Sequence, residues 1–207
     1  MQDVYYVLGG FVRAERKVKG SRFIAEAMPV EGEPHAEAEI AAVRKRAYDA
    51  THHCFAYRVG SAGEGFRYSD DGEPGGTAGT PILRQIDVRG LTHTLVVVTR
   101  YYGGTKLGTG GLIRAYSEAA AQALEAGGIE EKVLRTCIRL CFGYEDTSPA
   151  MHTLSRFDAV VHDTHYTEAT DMIIGVRCSQ AALFIETFVD ALRGRGRAEV
   201  MAERPLI

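Results

Sequence analysis

The 207-residue sequence contains no run approaching the ~18 to 20 apolar residues that a membrane-spanning helix needs. No membrane partner is expected. It has no basic start. Residues 1–12 read MQDVYYVLGGFV, with Asp3 interrupting the apolar run, so no signal peptide is expected. Cysteine is scarce, and Cys54, Cys137, Cys141 and Cys178 form no CxxC pair. A chain this large needs no disulfide staples. The cysteines therefore read as small buried fillers, and the expected location is the cytoplasm. There is no GxSxG and no HExxH. In Thr51-His52-His53-Cys54, a strand would place only His52 and Cys54 on one face, and no second ligand pair follows at finger spacing. No catalytic residue, metal or cofactor is assigned, and a binding protein is favoured over an enzyme. The 24 Lys and Arg are outnumbered by 27 Asp and Glu, so no global cationic field advertises a nucleic-acid partner. There is no internal repeat and no low-complexity linker.

What is present is a composition ordinary for a folded protein, 45% apolar and 25% charged. The 23 glycines are the exception, because thirteen of them fall between Gly60 and Gly111. That region needs an unusually permissive backbone.

The C-terminal third reads most clearly. Cys137–Tyr144 is a strand. Ser148 is read as the N-cap of a helix with Pro149 at its first position. Met151, Leu154 and Phe157 continue it at helical spacing. Ala159–Tyr166 and Thr170–Cys178 suit a hairpin. Ser179 is read as the cap of a second helix, and Arg197–Glu203 closes the unit. The order β-α-β-β-α-β is the ferredoxin-like pattern. The first two thirds mix strands (Val4–Val12, Arg22–Val30, Cys54–Val59, Phe66–Ser69, Leu95–Arg100) with helices that open at Pro34, near Thr77 and at Thr109. The expected class is α+β, with one domain over residues 1–133 and a second over 134–207.

Two segments hold the glycine excess. The stretch from Val98 to Tyr116, VTRYYGGTKLGTGGLIRAY, reads strand, Gly-rich loop, helix. Such an entry aims backbone N–H groups and a helix dipole at one spot and favours an anion. Arg100, Lys106 and Arg114 lie in it, and no acid occurs from Val98 to Ser117. Gly108, Gly110 and Gly111 would bring the backbone close to a phosphate. It is neither a Walker A loop nor a dinucleotide fingerprint. A tight turn with close strand–helix packing is the alternative. The second segment, SDDGEPGGTAGTPIL at 69–83, crowds Asp70, Asp71 and Glu73 into one turn. Those carboxylates need Mg²⁺ with substrate phosphate, ion pairing with the basic loop, or the N–H groups of a helix beginning near Thr77. His52, Thr77 and Tyr116 are candidate pocket residues. A further basic stretch, from Arg13 to Arg22, reads either as a charged strand edge or as a phosphate contact through Ser21 and Arg22.

Lys19-Gly20-Ser21-Arg22-Phe23, Ala50-Thr51-His52, the 69–83 string and VVVTRYYGGTKLGTGGLIRAYSEAA at 96–120 resemble the YigZ/IMPACT family. Mild departures occur, since the resemblance leads one to expect Asn near His53, Ser near Gly75 and Phe near Tyr102. The resemblance implies an N-terminal domain like ribosomal protein S5 domain 2. It also implies a C-terminal domain like the last domain of the translocation elongation factor. Both relatives contact RNA, so the resemblance implies a link to translation regulation, with RNA, the ribosome or a translation-related protein as partner. A Mg-dependent enzyme acting on a small phosphate-bearing ligand or nucleotide, and a protein-binding scaffold, are the alternatives.

Overall fold

The computed structural model describes residues 3–201. The chain forms two compact units, one spanning Tyr5–Glu131 and the other joining Asp3 and Val4 to the chain from Lys132 onward. The mixed α+β class is as the sequence predicts. Strand β1 (Val4–Leu8) pairs with β7 (Ile129–Val133).

In the first unit, β2 (Val12–Val18), β3 (Ser21–Pro29), β4 (His52–Val59), β5 (Gly65–Ser69) and β6 (Thr94–Tyr101) form one sheet in the order β2-β3-β6-β4-β5. Every pairing in it is antiparallel. The predicted strand Val4–Val12 is broken by Gly9-Gly10 into β1 and β2. Alternation along the strands sends successive side chains to opposite faces. On one face, Met28, Phe55, Tyr57, Leu95 and Val97 pack against Ala36, Ile40 and Val43 of α1 (Glu33–Arg46). On the other, Phe23, Ala25, Cys54, Ala56, Val96 and Val98 pack under α2 (Gly79–Asp87) and α3 (Gly108–Gly127). In α3, Leu112, Tyr116, Ala119 and Ala123 face inward as their spacing predicts. Four of the seven buried residues of α3, namely Ala115, Ala119, Ala120 and Ala123, are alanine, which lets the helix lie close to the sheet. The basic stretch Arg13–Lys17 lies on β2, an edge strand, where charge discourages edge-to-edge pairing.

The second unit contains β8 (Arg135–Phe142), α4 (Thr147–Arg156), β9 (Val160–Tyr166), β10 (Thr170–Arg177), α5 (Ala181–Ala191) and β11 (Arg197–Val200). The sheet order β11-β8-β10-β9 is the ferredoxin-like arrangement. Ile138, Leu140, Phe142, Ile174 and Val176 face Leu154, Phe184 and Phe188 of the two helices.

Both predicted helix caps are corrected. Helix α4 starts one residue before Ser148, and its N-cap is Asp146. Helix α5 starts after Gln180. The Ser179 hydroxyl and N–H both donate to the Asp3 carboxylate instead, which holds that carboxyl below its ordinary value, chiefly through the hydroxyl bond. Met151 is exposed, because the buried stripe of α4 runs through Ala150, Thr153 and Leu154. The last predicted strand ends at Val200, and Ala202 and Glu203 lie outside the described residues.

Phe184 is fully buried and touches both Phe157 and Phe188 at centroid separations of 5.3 and 5.8 Å. Phe184→Ala is expected to destabilise the protein by about 3–5 kcal/mol, read as a lower urea midpoint with an unchanged slope.

Candidate functional site

The three carboxylates of the 70–73 turn receive three different sets of partners. Asp70 sits ahead of α2. Its Oδ1 accepts the N–H groups of Ala78 and Gly79 at 2.9 and 2.8 Å, and its Oδ2 accepts that of Gly76 at 2.8 Å. Ala78 at the N-cap has no side-chain oxygen, so Asp70 does a cap's work from eight residues back. Burial acts to raise the Asp70 pKa, but the three N–H donors outweigh it and hold the carboxyl below its ordinary value.

Asp71 adopts φ +43°, a left-handed conformation that Asp tolerates. Its Oδ1 accepts Arg44 Nη2 of α1 at 2.7 Å, and its Oδ2 accepts the His53 N–H at 2.6 Å. Glu73 turns inward. Its Oε1 accepts Arg100 Nη1 at 2.6 Å and the Tyr116 hydroxyl at 2.7 Å. His52 Nδ1 donates to the Asp71 carbonyl at 2.7 Å, and its Nε2 lies 3.9 Å from the same Glu73 oxygen.

Two of the readings of the turn apply, each to a different residue. Asp70 caps a helix, and Glu73 pairs with Arg100 of the basic segment. Asp71 pairs with Arg44, a partner that sequence reasoning missed because nothing in the turn points to α1. Each oxygen of Asp70 and Asp71 is occupied by a protein donor. Among the described residues, no group of three or more His, Cys, Asp or Glu side chains is placed to hold a metal ion.

Arg100 is 4% exposed. Its guanidinium lies over the rings of Phe23 and Tyr102, 5.3 and 5.4 Å from their centroids, and its Nη2 donates to Ser21 Oγ at 3.3 Å. The same oxygen accepts the Gly103 N–H at 3.2 Å. Ser21 is fully buried. Here the expectation of direct phosphate contact is corrected for both residues. They face the side of the sheet that α3 covers, and they hold the loop instead of lining it. Two glycines make this possible. A Cβ on Gly103 would lie 1.9 Å from the Gly20 carbonyl carbon, and Gly20 itself has φ +84°. Neither residue could carry a side chain without moving both loops.

Beyond Gly103, residues 104–106 and 108–110 are exposed, while Leu107 packs against the core. The N–H groups of residues 104–110 meet no protein acceptor among the described residues, and Leu107 at the α3 N-cap offers no side-chain cap. Lys106, Gly108, Gly110 and Arg114 are exposed, with Gly111 half-buried. Neither Lys106 nor Arg114 has an ion pair or a side-chain hydrogen bond among the described residues. Arg22 is separated from this group. It points to the opposite face of the sheet, where it lies 4.4 Å over the Tyr101 ring. Of the pocket candidates, Tyr116 is fully buried, and Thr77 is buried with its hydroxyl donating to the Pro74 carbonyl at 2.6 Å. His52 is half-buried beside the pair.

The Impact N-terminal domain pattern matches residues 19–124, and a domain of unknown function (DUF1949) matches residues 141–195. The IMPACT family member YvyE of Bacillus subtilis is 34% identical over 195 residues, covering 94% of this chain and 90% of its own. The chain belongs to the IMPACT family. Escherichia coli YigZ, an IMPACT family member, is 34% identical over 88% of this chain and 91% of its own. A family member from Thermus thermophilus reaches 49% identity over 107 residues, 52% of this chain and 56% of its own. A crystal structure of a hypothetical protein superposes with a TM-score of 0.70 at 31% identity, covering 99% of this chain and all of its own. The Impact N-terminal match contains the acidic turn, the Glu73–Arg100 pair and the Gly-rich loop in full.

Cys54 also belongs to this cluster, with its thiol donating to the Asp70 carbonyl at 3.0 Å. Burial foremost, with the nearby carboxylates adding to it, pushes the thiol up to about 12. Cys141 is exposed, contrary to the expectation that every cysteine is a buried filler. In the folded protein, Cys141 is expected to react first with a thiol reagent and Cys54 last, a ranking that timed alkylation and mass spectrometry would read. Asp70→Ala is expected to cost ~1–2 kcal/mol near neutral pH, the range of a lost helix cap. The depressed carboxyl stabilises the fold above the ordinary Asp value of ~3.9, and this contribution fades as pH falls through the lower folded value. The gap between wild type and Asp70→Ala, measured by urea titration, should therefore narrow below about pH 4.

Proposed function

We propose that the protein is a non-enzymatic, translation-linked factor that holds the phosphate backbone of RNA at the Gly-rich loop and the start of α3. The observation that carries this reading is the combination of donors there. The N–H groups of residues 104–110 have no protein acceptor among the described residues. Lys106 and Arg114 stand exposed beside them, with no counter-ion among the described residues and no acid from Val98 to Ser117. A cation in the first turns of a helix opposes the dipole, so Arg114 is poorly placed unless an anion also binds there. Oriented N–H groups and two cations together form a phosphate cradle.

The loop is braced before a ligand arrives. Ser21 and Arg100 fix Gly103 from beneath, which lowers the entropy lost on binding. Tyr102 is 46% exposed beside the loop and offers a ring face on which an unpaired base can stack. The family resemblance adds weight, because the folds it implies occur in RNA-contacting proteins.

The test is binding of a mixed-sequence single-stranded RNA over a salt series. Each phosphate contact contributes ~0.7 to the slope of log affinity against log salt. The double substitution Lys106→Ala, Arg114→Ala is expected to flatten that slope by about 1.4 and to weaken binding uniformly across sequences. An unchanged slope and affinity in the double variant would rule the proposal out.

A further inference from the structure

The opposite face of the same sheet carries a separate site. Helix α1 covers only part of that face. It seats Ile40 and Val43 over the β4 and β6 side chains and ends at Arg46. Past its end, the helix and strands β2, β3 and β6 enclose a recess of about 210 Å³.

Two polar groups at this recess are more deeply buried than their bonding warrants. Thr99 is 2% exposed, and its hydroxyl has no hydrogen-bond partner among the described residues. Buried hydroxyls are nearly always satisfied, and an orphan one calls for a ligand or a water. Glu26 is 7% exposed. One nitrogen of Arg46 serves both of its oxygens, at 3.1 and 3.2 Å, which leaves the carboxylate able to accept further donors. The Arg46 side chain is half exposed. Arg13 also lines the recess and has no ion pair among the described residues. It sits directly across the β2–β3 ladder from Glu26. Ile24 and Val43 supply the apolar wall.

We infer that this recess binds a small zwitterion of the α-amino-acid type. The ammonium would donate to Glu26 and to the Thr99 hydroxyl. The carboxylate would accept from Arg13 and from the remaining N–H groups of Arg46. The arrangement selects for both charges at once. A simple anion entering here would meet the Glu26 carboxylate, and a simple cation would meet two guanidinium groups. The volume falls below the ~300–1,000 Å³ of pockets for drug-sized ligands, which excludes a nucleotide and fits a free amino acid.

The experiment is a ¹⁵N NMR titration of the whole chain with the common L-amino acids at millimolar concentration. Acetate and ethylamine serve as single-charge controls. At least one amino acid should give saturable shifts centred on Glu26, Arg46 and Thr99, and neither control should. Glu26→Gln and Thr99→Val should each weaken that binding by about tenfold, or ~1.4 kcal/mol. Thr99→Val keeps the side-chain shape and removes an orphan hydroxyl, so its Tm is expected to be unchanged or raised. Three results would overturn the inference: no saturable shift with any amino acid, the same shift pattern with acetate alone (an adventitious ion only), or unchanged affinity in both folded variants.

Discussion

The buried pairing of Glu73 with Arg100 is the constraint around which the first unit is organised. Both side chains are about 5% exposed or less. Taking two such charges out of water is costly, and their attraction offsets the cost only if other donors and acceptors complete the shell. Tyr116 supplies a second donor to Glu73, and Ser21 supplies an acceptor to Arg100. The acidic turn, β6, α3 and the start of β3 are thereby drawn to one point. Removing one partner of such a pair typically costs about 3–5 kcal/mol, because the other charge is stranded. A surface pair such as Arg67–Glu37, with side chains 60% and 41% exposed, is worth about 0–1 kcal/mol. The two differ not in distance but in what surrounds them.

This pairing explains why residues that look like ligands in the sequence act as supports in the structure. Arg100 and Ser21 sit on β6 and β3 with their side chains under α3, where Arg100 Nη1 and Nη2 and the Ser21 hydroxyl bond to protein partners, while Arg100 Nε has none among the described residues. Lys106 and Arg114 lie beyond the last tether at Gly103, with no partner among the described residues to consume their polarity. The acidic turn follows the same logic. Asp70 is spent on the start of α2, Asp71 on Arg44 and Glu73 on Arg100. The cluster is thus neutralised by two means, helix N–H groups at Asp70 and arginine pairing at Asp71 and Glu73.

Much of this was legible from the sequence, and the exceptions have physical causes. The strands and helices of the ferredoxin-like unit followed from alternation and 3.6-residue spacing, both of which are local. The caps at Ser148 and Ser179 misled because any serine before an apolar run offers the same local signal. The choice was made by Asp3, more than 170 residues away, which claims Ser179. The importance of the 69–83 and 98–116 segments was visible in their glycine content. The contact of Arg44 with Asp71 was not visible, since a salt bridge between distant elements leaves no pattern in spacing. Nor was the recess holding Thr99, because an isolated threonine in an apolar strand reads as an ordinary β-former. Only the missing partner of its hydroxyl sets it apart.

The contact between Gly20 and Gly103 has a consequence for how the molecule assembles. The hydrogen bond from Gly103 to Ser21 closes a loop of 82 residues, one of the longest-range tethers in the first unit. Loop closure of that length is entropically unfavourable until the intervening strands are already paired. The hairpins β2–β3 and β4–β5 can form from local sequence, whereas the Gly-rich loop is fixed only once β6 has inserted between β3 and β4. The loop is therefore among the last parts of the unit to become ordered and among the first to open when the sheet is strained. A substitution that merely loosens β6 would release the loop while leaving most of the secondary structure in place.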